Sequence, residues 1–151
     1  MNILVLDDRG SSSYYLMEWL KIHEYTVYTA FNLNDAQSIW DNRATNPIHC
    51  IILDLNVPTD GLKDEQKERS KGGLISGWVW LKENVLFDEP QMKYYTIIYS
   101  DYIHCLDDNI EEEYEEITFI PKRQRSSSAE DVTKRIIQIA EAIALKNENK
   151  H

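Results

Sequence analysis

Apolar residues in this 151-residue chain fall into short unbroken runs, separated by longer stretches of helical period. Ile3-Leu4-Val5-Leu6 comes first and ends at Asp7-Asp8. Behind the cap candidates Gly10, Ser11, Ser12 and Ser13, the residues Tyr15, Leu16, Trp19, Leu20 and His23 recur at helical spacing. Positions 25–30 alternate and predict a second strand. Asn32, with Asp35 three residues on, predicts the N-cap of a helix through Ala36, Ile39 and Trp40. Asn46-Pro47 ends that helix, and a third strand is expected over about 48–54. Further on, the pattern predicts a helix over about 77–87, a strand at 96–99, and a short helix plus loop within 102–116. A strand at 117–120 then runs through Pro121 to Lys122. The last helix carries Val132, Ile136, Ile139, Ala140 and Ile143 on one face. Ser126, Ser127 and Ser128 ahead of Glu130 and Asp131 offer two overlapping capping boxes. Such alternation predicts βα units around a parallel sheet. The length suits one domain with one core over 1–146, followed by a polar tail at 147–151 that frays.

One stretch breaks the pattern. From Leu55 to about Ser76 there is no apolar periodicity, and positions 63–71 are almost wholly charged or polar before the pair Gly72-Gly73. Loops this long in compact domains are functional or disordered; a short solvated helix inside it is compatible with the pattern. The extended loop is placed at about 59–75. After it, Trp78 and Trp80 lie on opposite sides of the expected helix, so only one needs to be core.

Composition narrows the function. The formal net charge of −10 argues against direct nucleic-acid binding, which needs basic surface to neutralise phosphates. The acidic run from Glu111 to Glu116 reads as a solvated helix end or loop, with a docking surface for a basic partner as the lesser alternative. No apolar run reaches membrane-spanning length, and nothing at the start reads as a signal peptide. Cys50 and Cys105 form no CxxC, and Cys50 inside an apolar run reads as a buried, reduced thiol. A cytoplasmic protein is the expectation. His23, His49 and His104 share no ligand spacing.

The candidate chemistry stands at strand ends. Asp7 and Asp8 follow the first run, Asp54 the third, Ser100 the fourth and Lys122 the fifth. In open α/β sheets the carboxyl ends of parallel strands converge on one crevice. Like charges about 4 Å apart repel by roughly 4 kcal/mol at an effective dielectric near 20. A hard divalent cation removes that penalty, and Mg²⁺ favours one or two carboxylates plus water and phosphate oxygens. Asp54 is then a nucleophile able to accept a phosphoryl group, Lys122 a point charge and Ser100 a hydrogen-bond donor for its oxygens.

The runs "ILVLDD", "IILDLNVP", "TIIYSD" and "ITFIPK", in that order, resemble the receiver domain of two-component response regulators over nearly the whole chain. The resemblance implies a three-layer αβα sandwich, a (βα)5 flavodoxin-like fold with parallel strand order 2-1-3-4-5 and an extended β3-α3 loop. It implies phosphoryl transfer to Asp54 from a sensor histidine kinase or histidine phosphotransfer protein, with Mg²⁺ held by Asp7, Asp8, Asp54 and the Asn56 carbonyl. It also implies a switch in which Ser100 moves toward the phosphate, Phe119 turns inward and the surface of the fourth helix, fifth strand and fifth helix changes for a downstream partner or fused output domain. A homodimer is left open, and no enzymatic role beyond self-catalysed phosphotransfer and dephosphorylation is implied. Two features depart from the family. Arg123 follows Lys122 where receivers usually have proline, often after a cis bond, and the charged loop beside Asp54 adds roughly fifteen residues. That loop is expected to restrict partner access or to add to a partner surface.

Two rival readings stand beside this one. A degenerate receiver would bind proteins without phosphate. A haloacid-dehalogenase-type phosphatase would need a second aspartate two positions after the nucleophile, where this chain has Arg9 or Asn56.

Overall fold

The computed structural model describes residues 1–8, 10–123 and 128–149. Five strands form one parallel sheet: β1 (Asn2–Leu6), β2 (Thr26–Ala30), β3 (Cys50–Leu53), β4 (Thr96–Ser100) and β5 (Thr118–Pro121). Their order is β2-β1-β3-β4-β5, as expected. β3 and β4 are buried throughout, as unbroken Ile/Leu runs require when helices cover both faces of a parallel sheet. Helices α1 (Gly10–Ile22), α2 (Leu33–Asp41) and α6 (Ala129–Glu148) are the long ones. Among the described residues, no helix is long and apolar enough to cross a membrane.

Local signals account for several boundaries. The Asn32 side chain accepts the Asp35 amide at 2.8 Å and starts α2. Ser128 and Asp131 form a capping box that starts α6; Ser126 and Ser127 lie outside the described residues. α6 continues through Glu148, into the expected polar tail. β2 and β3 are each shorter than the pattern predicts.

Two packing expectations need correction. In α1 the buried residues are Ser13, Leu16, Met17 and Leu20, while Tyr15 is exposed and Trp19 only partly covered. The residues expected to cap α1 already lie within it, because the helix begins at Gly10. Trp78 and Trp80 are both buried. Trp80 Nε1 donates to Gln37 Oε1 of α2 at 2.9 Å, and the Trp78 ring meets the edge of Tyr114 at a centroid distance of 5.0 Å.

The extended loop is a folded insert. It contains α3 (Asp64–Arg69), and Leu62, Gln66, Ser70 and Ile75 are buried. It closes on α4 (Ser76–Trp80), whose five residues are all buried and which continues as a π-helical turn, Leu81–Val85. A helix this short has no stability of its own. The π turn faces α3, since Gln66 Nε2 donates to Asn84 Oδ1 at 3.2 Å and Arg69 pairs with Glu83. On the far side, Lys71 Nζ donates to the Cys105 carbonyl at 2.5 Å. The β4–β5 crossover, by contrast, holds a 3-10 turn (Ile103–Cys105) and a one-turn α5 (Ile110–Glu113), with Glu111, Glu112 and Glu113 exposed, in keeping with a solvated acidic run.

Candidate functional site

The strand order reverses between β1 and β3, and the crevice at such a switch point lies outside the carboxyl ends of those strands. Register decides what reaches it. Leu6 pairs with Leu53, so Asp7 and Asp54 each stand one residue beyond the same rung. Leu53 pairs with Ile98, and Ser100 pairs with Pro121, which puts Ser100 at the tip of β4 and Lys122 just past β5.

The expected residues meet. One carboxylate oxygen each from Asp7, Asp8 and Asp54 lies within 4.8 Å of the others, with Asp7 and Asp54 buried and Asp8 exposed. Lys122 Nζ is 2.5 Å from Asp7 Oδ2 and 3.0 Å from Asp54 Oδ2. Ser100, fully buried, donates its hydroxyl to Asp54 Oδ1 at 2.6 Å and accepts the amides of Leu55 and Tyr102 at 3.3 and 3.1 Å. The Asn56 amide reaches Asp54 Oδ1 at 3.4 Å. Both oxygens of Asp54 are therefore engaged.

Three carboxylates against one ammonium leave a surplus of two negative charges. Burial opposes the charge on Lys122, but the Asp54 and Asp7 carboxylates outweigh it and push its pKa above the ordinary lysine value. Tyr99, beneath the ammonium with Nζ 5.4 Å from its ring centre, is pushed up by burial and by Asp7, Asp101 and Asp54, with Lys122 opposing. Burial raises the Cys50 thiol to about 12, which leaves it inert.

Lys122 reaches the site without a following proline. The peptide bonds of the described residues are trans. The Arg123 amide donates to Asp101 Oδ1 at 3.0 Å, and its exposed side chain lies 3.5 Å from Asp101 Oδ2. Phe119 is half-buried, with its ring 6.4 Å from that of Trp78. The histidines singled out in the sequence have other partners: His23 faces Glu141, His49 accepts the Asn2 amide, and His104 stacks on Tyr102 at a centroid distance of 6.2 Å.

Two residues that the sequence pattern did not single out support the pocket from behind. Gly77 N donates to the Leu55 carbonyl at 2.8 Å, and a Cβ on Gly77 would stand 2.2 Å from the Asp54 carbonyl oxygen. Ser76 Oγ lies against both the amide and the carbonyl of Val57. The signal for them was slight: a small Ser-Gly pair ahead of an apolar helix.

No family model and no curated protein matches the chain. Solved structures do. A response regulator receiver domain protein from Clostridium thermocellum is similar at 21% identity and TM-score 0.59, over 95% of this chain and 97% of that one. The non-phosphorylated HemR receiver domain from Leptospira biflexa is similar at 17% identity and TM-score 0.60, over 92% and 93%. A CheY-like receiver domain protein from Methanospirillum hungatei gives 14% and 0.59, over 96% and 97%. The chain has the receiver-domain fold.

Proposed function

We propose that this chain is a phosphoacceptor receiver. Asp54 accepts a phosphoryl group from a phosphohistidine on a sensor histidine kinase or a phosphotransfer protein, and the modified site alters a surface read by a downstream partner or a fused output domain. The observation that carries this reading is the meeting of three carboxylates, a buried hydroxyl and a buried ammonium in one pocket.

In the transfer, an Asp54 carboxylate oxygen attacks phosphorus and the P–N bond breaks. The imidazole nitrogen leaves with the bonding pair, and the product is an acyl phosphate. The all-oxygen set of Asp7, Asp8 and Asp54 suits Mg²⁺, and the receiver resemblance would add the Asn56 carbonyl to it. When bound, that ion cancels the carboxylate repulsion and neutralises phosphoryl oxygens. Lys122 and Ser100 exchange their bonds to Asp54 for bonds to phosphoryl oxygens, so neither donor has to travel far. Loss of the phosphate to water follows the same positions, and the protein serves signalling, not metabolism. A cytoplasmic setting, where kinases and phosphotransfer proteins present phosphohistidine, accompanies the proposal.

The test is incubation with Mg²⁺ and acetyl phosphate, followed by mass spectrometry. A stoichiometric, hydroxylamine-labile adduct on Asp54, absent from Asp54→Asn, is the expected result. Absence of any adduct together with no beryllofluoride binding would overturn the proposal in favour of a phosphate-independent binding module. Steady turnover of a phosphomonoester would overturn it in favour of a phosphatase.

A further inference from the structure

The peptide unit joining Asn56 to Val57 carries the main-chain oxygen offered to Mg²⁺ in the reading above. Its amide donates to Ser76 Oγ at 3.2 Å. The same hydroxyl lies 2.5 Å from the Val57 carbonyl, 3.3 Å from that of Leu55 and 3.1 Å from that of Gly73. A hydroxyl has one proton to give and lone pairs to receive. The nearest carbonyl, that of Val57, takes the proton, and the Val57 amide fills a lone pair. Ser76 is fully buried, so water does not compete.

In a trans peptide, N–H and C=O point in opposite directions. Aiming the Val57 amide at Ser76 therefore fixes the direction of the Asn56 carbonyl. On the other side of Asn56, Leu55 is held through its amide by Ser100 and through its carbonyl by the Gly77 amide. Asn56 is thus bracketed by two anchored residues. The anchor on the Val57 side, Ser76, stands where the insert closes on α4, and its own amide donates to the Gly73 carbonyl at 3.4 Å.

We infer that Ser76 is a positioning residue: it orients the Asn56 carbonyl for Mg²⁺ and ties occupancy of that ion to the order of the insert. This rests on the metal-dependent phosphoacceptor reading. Coupling between two parts of a molecule is reciprocal, so Mg²⁺ tightens the insert to the degree that the insert favours Mg²⁺. Groups that orient a metal ligand from behind are worth about 10- to 100-fold in affinity.

The experiment compares the whole chain with Ser76→Ala and Ser76→Thr. Mg²⁺ is titrated by calorimetry, and hydrogen exchange over 58–75 is followed with and without the ion. Wild type should bind Mg²⁺ and slow the exchange of the insert. Ser76→Ala should bind about tenfold more weakly and lose the Mg²⁺-dependent protection, while Ser76→Thr, which keeps the hydroxyl, should recover both. Circular dichroism checks folding; if the alanine variant does not fold, Ser76→Cys keeps the size and loses most of the hydrogen bonding. Wild-type affinity in a folded Ala or Cys variant would overturn the inference and leave the phosphoacceptor reading intact. A wild-type chain that takes up no Mg²⁺ at all would overturn both.

Discussion

Gly77→Ala is the substitution on which the local structure speaks most directly. A Cβ there would meet the Asp54 carbonyl oxygen at 2.2 Å, Leu53 Cδ1 at 3.2 Å and the Asp54 carbonyl carbon at 3.3 Å, against an ordinary contact of 3.4 Å or more. The oxygen has little room to move, because the Asp54 amide is bonded to the Leu6 carbonyl at 2.9 Å and so belongs to the sheet. The helix has to give way by about an ångström, and overpacking of this kind costs up to about 3 kcal/mol. Alanine returns about 1 kcal/mol through helix propensity. The net loss is about 2 kcal/mol, or roughly 4–8 °C in melting temperature for a chain of this size. Thermal unfolding followed by far-ultraviolet circular dichroism measures it. Gly72→Ala is the contrast: nothing lies within 4 Å of a Cβ there, and only the positive φ of 68° resists the change, so its cost should stay near 1 kcal/mol. A Gly77→Ala protein that melts at or above the wild-type temperature would refute the reasoning, since the helix would then be free to slide away from Asp54.

Three further outcomes follow from the same contacts. Lys122→Met removes the partner of two buried carboxylates and should cost about 3 kcal/mol in urea denaturation at neutral pH, with Mg²⁺ recovering more stability in the variant than in wild type; equal Mg²⁺ stabilisation of both would count against the shared pocket. The raised pKa of Lys122 makes its contribution complete below the unfolded lysine value of 10.5 and lost as pH climbs through the higher folded value, so the gap in stability between wild type and Lys122→Met should narrow on alkaline titration above 10.5; a gap that widened there would reverse the sign argued here. In the insert, Arg69→Ala breaks an exposed ion pair and should cost little, whereas Gln66→Ala, at a buried amide bonded to Asn84, should cost about 1–2 kcal/mol; denaturant midpoints of the pair decide the order, and a larger loss in Arg69→Ala would reverse it.

How much of this was legible in the sequence depended on whether the deciding contact was local. Strands whose faces are both buried must be apolar throughout, so the runs ending at Leu6, Leu53 and Tyr99 announced themselves, and the polar residue after each run marked a strand end. The Asn32 cap is likewise a three-residue matter. The buried face of α1 was harder. Tyr15 and Trp19 satisfy helical spacing as well as Leu16 and Leu20 do, but large amphipathic rings rest half-covered at the edge of a core, and the true stripe takes Ser13 and Met17 instead. Trp78 is covered by Tyr114, a residue from the next crossover, and nothing near Trp78 in sequence specifies that. The docked insert is long-range in the same sense. Its polar surface hid the fact that Gln66 and Asn84 pair across eighteen positions.

The same distinction explains why the position after β5 carries lysine. Between β1 and β5 stand β3 and β4. At about 4.8 Å per strand, a flat sheet would hold Asp7 and the end of β5 about 14 Å apart. The observed 2.5 Å contact needs both a long side chain and a sheet that twists its ends together, as parallel sheets do. A slip of one residue in any ladder between them would move a strand end by about 3.3 Å and turn its side chain to the opposite face. In the β3–β4 ladder, such a slip would take Asp54 out of the reach of both Ser100 and Lys122. The pocket is therefore a readout of register in three ladders at once. Each buried Ile and Leu of β3 and β4 that holds those ladders in place acts on the carboxylates as directly as any residue that touches them.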